Sequence, residues 1–177
     1  SWLSLLLFSN NYRVYGISLK NTNDLHIYNK VKVSKYCKSY ICDINNYNKL
    51  YKIFDEVRPD IVVHLAAQPI VFESYHRPFD TFFTNILGTL NVFELSNKLS
   101  SGRVINFTSD KVYKNRDNNL SFKETDVLGG KDPYSLSKSC SDMIGQCLNV
   151  QRKSRVNNLK ISTIRCGNII GGGDWSK

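Results

Sequence analysis

Residues 104–113, VINFTSDKVY, place polar, chemically active side chains directly after an apolar segment. The run 104–107 is mostly apolar and short, which is typical of a buried strand. Ser109, Asp110 and Lys111 follow it almost at once. The stretch therefore predicts a core strand whose carboxyl end presents a hydroxyl, an acid and an amine.

The same kind of strand recurs along the chain and alternates with helical patterns. Strands are predicted at residues 12–19, 40–42, 61–65, 103–108 and 160–165. Helices are predicted at residues 2–8, 44–57, 79–95 and 134–150. This alternation indicates an α/β fold with a doubly wound parallel sheet and helices on both faces. Ligands of such a sheet bind at the carboxyl ends of its strands.

The composition suits one globular domain. The chain has 177 residues, is 41% hydrophobic and carries a formal net charge of +9. Nucleic-acid binding is one interpretation of that charge, but the basic residues form no dense stripe. We favour lysines scattered over solvated faces, a balance that also suits an anionic small substrate. No apolar run reaches the roughly 18 residues of a membrane span.

The cysteines and histidines do not indicate a metal site. The five cysteines include no CxxC pair, and three histidines are too few and too scattered to complete a ligand cluster. We expect free thiols in a reducing cytoplasm.

A second group of active side chains lies at the start of the predicted helix 134–150. In a helix, Tyr134 and Lys138 share one face, and an ammonium beside a phenol lowers the pKa of the phenol from about 10. Such a pair can act as a general base toward a sugar hydroxyl, although the same spacing occurs in ordinary surface contacts. Because the turn 109–111 should reach the same edge of the sheet, we predict one pocket that combines both groups.

Small residues follow the predicted strand 61–65. Ala66 and Ala67 would let the backbone approach a cofactor closely, and packing under a helix is the alternative explanation. His64 is predicted to be a hydrogen-bonded core or edge histidine rather than a ligand.

Seven segments, in chain order, resemble the extended short-chain dehydrogenase/reductase family, and within it the 4,6-dehydratases that act on CDP-glucose. They are SWLSLLL, VYG, HLAAQP, TNILGT, TSDKVY, LGGKDPYSLSK and GNIIGGGDW. The resemblance covers nearly the whole chain. It implies a Rossmann-like fold, NAD as cofactor and CDP-glucose as substrate. In the implied reaction C4 of the glucosyl unit is oxidised, water is eliminated across C5 and C6, and the hydride returns to C6.

The resemblance also implies catalytic roles. Tyr134 would be the base at the C4 hydroxyl, held by Lys138, and Ser109 would contact the same oxygen. Asp110 would protonate the departing C6 hydroxyl. Lys111 stands where the dTDP-glucose and GDP-mannose enzymes carry a glutamate that removes the C5 proton.

Binding roles are implied for a further set of residues. Cofactor contacts would involve Tyr134 and Lys138 together with Asp43, Ile44, Leu65, Ala66, Ala67 and Thr108. Asn85 and Asn168 would contact the substrate. The choice of NAD over NADP rests on the resemblance, because Lys20 follows the first predicted strand where an acid that reads the ribose is usual.

This sequence departs from the family pattern in three places. It lacks the first strand with the glycine-rich turn that holds the pyrophosphate, and it lacks most of the sugar-nucleotide domain after Trp175. We therefore expect residues 1–177 to be a partial NAD-binding domain, a fragment truncated at both ends that is inactive alone and binds NAD poorly or not at all. Phe72 and Glu73 replace basic residues, which weakens the expected substrate contacts near Ser74 and Tyr75.

Other functions stay open. A different NAD-dependent nucleotide-sugar dehydratase or epimerase, of the dTDP-glucose or GDP-mannose type, would use the same fold. A non-catalytic homologue would keep the fold without turnover, but Asp110 and the Tyr134–Lys138 pair favour an enzyme. Relatives associate through their two long helices, so the resemblance implies a homodimer or larger homo-oligomer of the full-length protein.

Overall fold

The computed structural model describes residues 1–20, 27–99, 102–114, 121–153 and 159–172. Its strands are β1 Tyr15–Ser18, β2 Lys38–Ile41, β3 Val62–His64, β4 Arg103–Phe107 and β5 Lys160–Ile164. Its α-helices are α1 Trp2–Ser9, α2 Ile27–Lys30, α3 Tyr47–Val57, α4 Val71–His76, α5 Pro78–Phe82, α6 Thr89–Leu99 and α7 Pro133–Lys153. Every predicted strand and helix is present, while α2 and α4 were not predicted.

The described strands form two parallel sheets rather than one. β1 pairs with β2, and β3, β4 and β5 pair in that order. In a Rossmann sheet the first strand lies between the second and the fourth. By this order β1 and β3 correspond to the strands on either side of that first strand, and no described strand pairs with both sheets. The predicted fold class, a doubly wound parallel sheet, is confirmed, and the described residues include no strand before β1.

Helices α6 and α7 cover one face of the three-stranded sheet. Val104 and Ile161 point to this face and are almost fully buried. A Cβ added to Gly145 of α7 would stand 3.2 Å from the Ile161 side chain, so the helix lies close against β5. On the opposite face Ile105 and Phe107 are only half-buried. The described residues therefore cover this second face of the three-stranded sheet less completely than the first.

Helix α1 is not buried, although its sequence is apolar around its whole circumference. Trp2 anchors it at one end, because the indole Nε1 donates a hydrogen bond to the Gly172 carbonyl at 2.9 Å. An apolar helix of this kind is typical of one that is covered on several sides.

As for membrane insertion, the described part of the chain contains no helix with the length and apolarity to span a bilayer.

A continuous helical segment runs through residues 78–99. A π-helical turn, Phe83–Gly88, joins α5 to α6 within it. Gly88 lets this turn approach the segment after β2, since a Cβ there would stand 2.5 Å from the Ile44 side chain. Such π turns are frequent at functional sites.

Candidate active site

The turn after β4 presents Ser109, Asp110 and Lys111. A 3₁₀ turn, Asp110–Val112, begins here with Ser109 as its N-cap. The Ser109 Oγ accepts a hydrogen bond from the Lys111 backbone N–H at 3.2 Å and donates one to Asp110 Oδ1 at 3.0 Å. These local bonds are typical of a hydroxyl and an acid at a turn. Ser109 is nearly buried, whereas Asp110 and Lys111 are exposed.

Helix α7 brings Tyr134 and Lys138 to the same edge. Asp132 caps the helix by accepting hydrogen bonds from the Ser135 backbone N–H at 2.9 Å and the Ser135 hydroxyl at 2.6 Å. Tyr134 is partly buried, and Lys138, one turn further, is only 5% exposed. The Lys138 Nζ donates to the Phe107 carbonyl at 2.8 Å. The lysine is therefore bonded to the end of the strand that carries the turn 109–111.

An open cavity of about 390 Å³ lies between this turn and helix α7. Its lining consists of Pro69, Thr108, Ser109, Lys111, Tyr134, Cys166, Gly167, Asn168 and Ile169. Asp110 lies beside it, since a Cβ added to Gly167 would stand 3.6 Å from Asp110 Oδ2. Ser109, Lys111 and Tyr134 thus meet in one cavity as predicted, whereas Lys138 lies outside its lining and is bonded to the Phe107 carbonyl.

Burial changes the proton affinities of the Tyr–Lys pair. It lowers the pKa of Lys138 to about 8, because the ammonium loses its hydration. It also raises the pKa of Tyr134 above its ordinary value, and a hydrogen bond with Ser109 only partly offsets this. The expectation that Lys138 lowers the pKa of Tyr134 is therefore wrong for this structure. The ammonium is directed at the Phe107 carbonyl, and desolvation of the phenol is the larger effect.

The residues proposed for the cofactor after β2 and β3 lie at the carboxyl ends of these strands. Asp43 is exposed, whereas Ile44 is buried in the core. Leu65 is exposed, and Ala66 and Ala67 are half-buried. Small and exposed groups along this edge leave room for an extended ligand. The residues present therefore fit part of an NAD molecule, while the glycine-rich turn for its pyrophosphate does not occur in this sequence.

Thr108 and Asn168 line the cavity, but Asn85 does not. Asn85 lies in the π turn and is 1% exposed. Its amide accepts from the Gln68 backbone N–H at 2.8 Å and donates to the Gln68 carbonyl at 3.1 Å and to the Ser137 hydroxyl at 2.8 Å. Its polar groups are used within the fold, so substrate contact by Asn85 stays a prediction.

Cys166, Gly167 and Pro69 line the cavity although sequence reasoning did not select them. Cys166 and Gly167 follow β5 at its carboxyl end, and the rule that ligands bind there could have indicated them. Residues 173–175, the end of the segment GNIIGGGDW, lie outside the described residues.

His64 has the structural role that the sequence predicted. It is buried, and its Nε2 lies 2.9 Å from the Thr89 hydroxyl oxygen. Burial lowers its pKa to about 3, so the ring is neutral at pH 7.

Known proteins that are similar to this chain show both its family and its fold. The model of the family described as GDP-mannose 4,6 dehydratase matches residues 1–171. The CDP-glucose 4,6-dehydratase of Salmonella typhimurium strain LT2 is 36% identical over 100% of this chain and 51% of its own length. The UDP-glucose 4-epimerase of Mycoplasma genitalium is 28% identical over 86% of this chain and 43% of its own length. The chain thus spans about half the length of the curated relatives it matches.

A solved structure shares the fold. A double mutant of the dTDP-glucose 4,6-dehydratase from Streptomyces venezuelae, solved with NAD bound, matches with a TM-score of 0.79. The match covers 97% of this chain and 53% of that chain at 23% identity. At this identity the likeness shows a common doubly wound fold.

Proposed function

Because this chain belongs to the GDP-mannose 4,6 dehydratase family, we propose that the protein containing it is a hydro-lyase that converts CDP-glucose to CDP-4-keto-6-deoxyglucose with NAD. One observation carries the proposal: Ser109, Lys111 and Tyr134 line one cavity, and Asp110 lies beside it. A base, an acid and a positioned hydroxyl are what oxidation followed by elimination of water requires. Residues 1–177 would supply the part of the NAD-binding domain that carries these groups.

The first step oxidises C4 of the glucosyl unit. NAD, when bound, supplies the reversible redox chemistry at C4 and later at C6. The Tyr134 phenolate takes the proton of the C4 hydroxyl, and the Ser109 hydroxyl binds the same oxygen. Because burial raises the pKa of Tyr134, the phenolate needs a nearby positive charge. The resemblance gives this role to Lys138, one turn away on the same helix, although its ammonium here donates to the Phe107 carbonyl and not to the phenol.

The second step removes water across C5 and C6. The C6 hydroxyl leaves with a proton from Asp110, the C5 proton passes to a base, and a C5–C6 double bond forms. Lys111 lies next to Asp110 on the same turn. It removes the C5 proton itself, or it positions a water or the sugar for that step. Reduction at C6 and return of a proton to C5 complete the reaction.

Lys111 also supports the choice of CDP-glucose. By resemblance, the enzymes for dTDP-glucose and GDP-mannose carry a glutamate at this position. The Salmonella relative that acts on CDP-glucose is similar over the whole chain. A net charge of +9 suits an anionic nucleoside diphosphate. A nucleotide-sugar epimerase is the second candidate function, because the UDP-glucose 4-epimerase of Mycoplasma genitalium is also similar to this chain.

The full-length protein, supplied with NAD, tests the proposal. CDP-glucose, dTDP-glucose and GDP-mannose are incubated separately, and the products are analysed by mass spectrometry. We expect a product lighter by one water from CDP-glucose. Dehydration of dTDP-glucose without dehydration of CDP-glucose would refute the substrate assignment, and an isomer of unchanged mass would indicate an epimerase. Tyr134→Phe serves as the control for enzymatic turnover.

We further propose a homodimer or larger homo-oligomer of the full-length protein. Support comes from apolar side chains on the outer faces of two neighbouring helical segments. Leu136, Met143 and Val150 recur every seven residues along α7 and are 39%, 46% and 62% exposed. Phe79 and Phe83 are exposed on the segment beside it. A second copy of the chain would cover both faces.

We also propose that the full-length protein is cytoplasmic. All five cysteines are free thiols, which is typical of a reducing compartment.

A further inference from the structure

A buried ion pair lies behind the candidate active site. The Asp142 side chain is 0% exposed and accepts from Arg165 Nε at 2.6 Å and from Arg165 Nη2 at 3.0 Å. Gln146 Nε2 donates to the same carboxylate at 2.7 Å. The Arg165 side chain is itself only 13% exposed. A two-pronged bond of this kind fixes the relative orientation of both side chains.

Arg165 also binds two other segments. Its Nη1 donates to the Tyr113 hydroxyl at 3.1 Å and to the Glu124 backbone carbonyl at 2.9 Å. The guanidinium lies over the Tyr113 ring, 5.0 Å from its centre. Tyr113 ends the short segment that carries the turn 109–111. One side chain at the end of β5 therefore joins helix α7, the segment after β4 and the loop that contains Glu124.

The pair lies next to residues that line the cavity. Asp142 follows Lys138 by four residues on α7, so the two side chains share one face of the helix. The Thr108 Oγ1, which belongs to a cavity residue, lies 3.5 Å from Asp142 Oδ2. Cys166, another cavity residue, directly follows Arg165. Three of the segments that form the cavity, which contain Thr108, Tyr134 and Cys166, are thus connected through the ion pair.

A buried ion pair is a weak source of stability. Desolvation of the two charges offsets much of their attraction, whereas removal of one partner leaves the other charge buried and unpaired. The pair is better suited to fixing geometry, and arginine suits this because its planar fork reaches several acceptors at once.

We propose that Asp142 and Arg165 are positioning residues that hold the turn 109–111 and the start of helix α7 at the spacing the cavity requires. This proposal rests on the proposed function, which identifies the cavity as an active site. Its test needs no catalysis, so failure of one proposal leaves the other standing.

The cysteines of this chain provide the test. Cys166 lines the cavity, Cys37 and Cys42 are buried, and Cys147 is exposed. The native chain is treated with iodoacetamide, and the labelling rate of each cysteine is followed by mass spectrometry. In Asp142→Asn we expect Cys166 to react at least about tenfold faster, because a locally opened cavity wall exposes it. Cys37 and Cys42 should stay as protected as in the unsubstituted chain.

Glu124→Gln is the matched control. It also converts an acid into an amide, but Arg165 contacts only the backbone carbonyl of Glu124, so the Cys166 rate should not change. If Asp142→Asn fails to fold, Arg165→Lys replaces it under the same criterion, because it keeps the charge and loses the fork. An unchanged Cys166 rate, or rates at Cys37 and Cys42 that rise in parallel, would overturn the proposal.

Discussion

Lys138 is a buried cation bonded to a carbonyl rather than to a carboxylate. It is 5% exposed, and its ammonium donates to the Phe107 carbonyl at 2.8 Å. A neutral acceptor offsets only part of the hydration that a buried ammonium loses, which is why its pKa falls to about 8. A charge held at such a cost is typical of a functional position.

We predict that this cost decreases as the pH rises. The pKa of Lys138 is about 8 in the folded chain and 10.5 in an exposed lysine, so between these values the unfolded chain binds more protons. Stability therefore rises with pH in that window. Relative to Lys138→Met, the unsubstituted chain should gain about 2 kcal/mol of unfolding free energy between about pH 7 and pH 10.

Urea denaturation of both proteins across this range measures the difference. Ionisations elsewhere are common to the two proteins and cancel in the comparison. The same pH dependence in both would contradict a lowered pKa at Lys138.

Tyr134 yields a second prediction at this scale. Tyr134→Phe keeps the ring but removes the proton acceptor, so turnover of the full-length protein should fall by roughly 10²- to 10⁴-fold. The measurement is the rate at which the product lighter by one water forms from CDP-glucose. Calorimetric binding of CDP-glucose is the control and should be retained. Turnover close to that of the unsubstituted protein would exclude the base role.

The two glycines before helix α7 determine how the chain enters the helix. Gly129 has a φ of +148°, a conformation that favours glycine. At Gly130 a Cβ would collide with the backbone of Ser135 and Leu136. These glycines let the chain fold back tightly against the first turn of the helix. The two glycines of the segment LGGKDPYSLSK are therefore needed to position Tyr134 at the start of the helix.

Gly130→Ala is predicted to destabilise the chain by about 1–3 kcal/mol. The obstacle is main chain rather than the end of a flexible side chain, so it cannot move aside cheaply. Chemical denaturation measures the loss. Gly172→Ala is the matched control, because nothing lies within 4 Å of its added Cβ. If Gly130→Ala unfolds at the same denaturant concentration as the control, the turn is not constrained as described.

Local sequence patterns predicted the strands and helices of the whole molecule. Contacts between residues far apart in the sequence depend on tertiary packing and could not be predicted from those patterns. The apolar run 61–65 and the spacing of 134–150 are local signals, and β3 and α7 lie there. The Asp142–Arg165 pair follows from packing between α7 and the end of β5, for which no spacing rule exists.

The candidate site divides in the same way. Ser109 and Tyr134 could be placed together because each lies at the carboxyl edge of a parallel sheet. The raised pKa of Tyr134 could not be foreseen, because a Tyr–Lys spacing contains no information about desolvation. Asn85 belongs to the segment TNILGT, but only the packed structure shows its amide bonded to Gln68 and Ser137.

The apolar stripe on α7 predicts where copies of the full-length protein associate. Leu136, Met143 and Val150 are exposed at a seven-residue spacing, which is typical of a seam between helices. Met143→Lys places an ammonium in the middle of this stripe. We expect it to weaken self-association of the full-length protein by at least about tenfold, because a like charge from each copy would meet across the interface.

Because Met143 is already 46% exposed, the unfolding free energy of the Met143→Lys variant should change little. Sedimentation equilibrium measures the association constant. Asn48→Lys adds the same charge at an exposed position of α3 and is the matched control. If the association constant of Met143→Lys equals that of the control, the stripe does not form the interface, and the exposed apolar side chains of α7 must serve another contact.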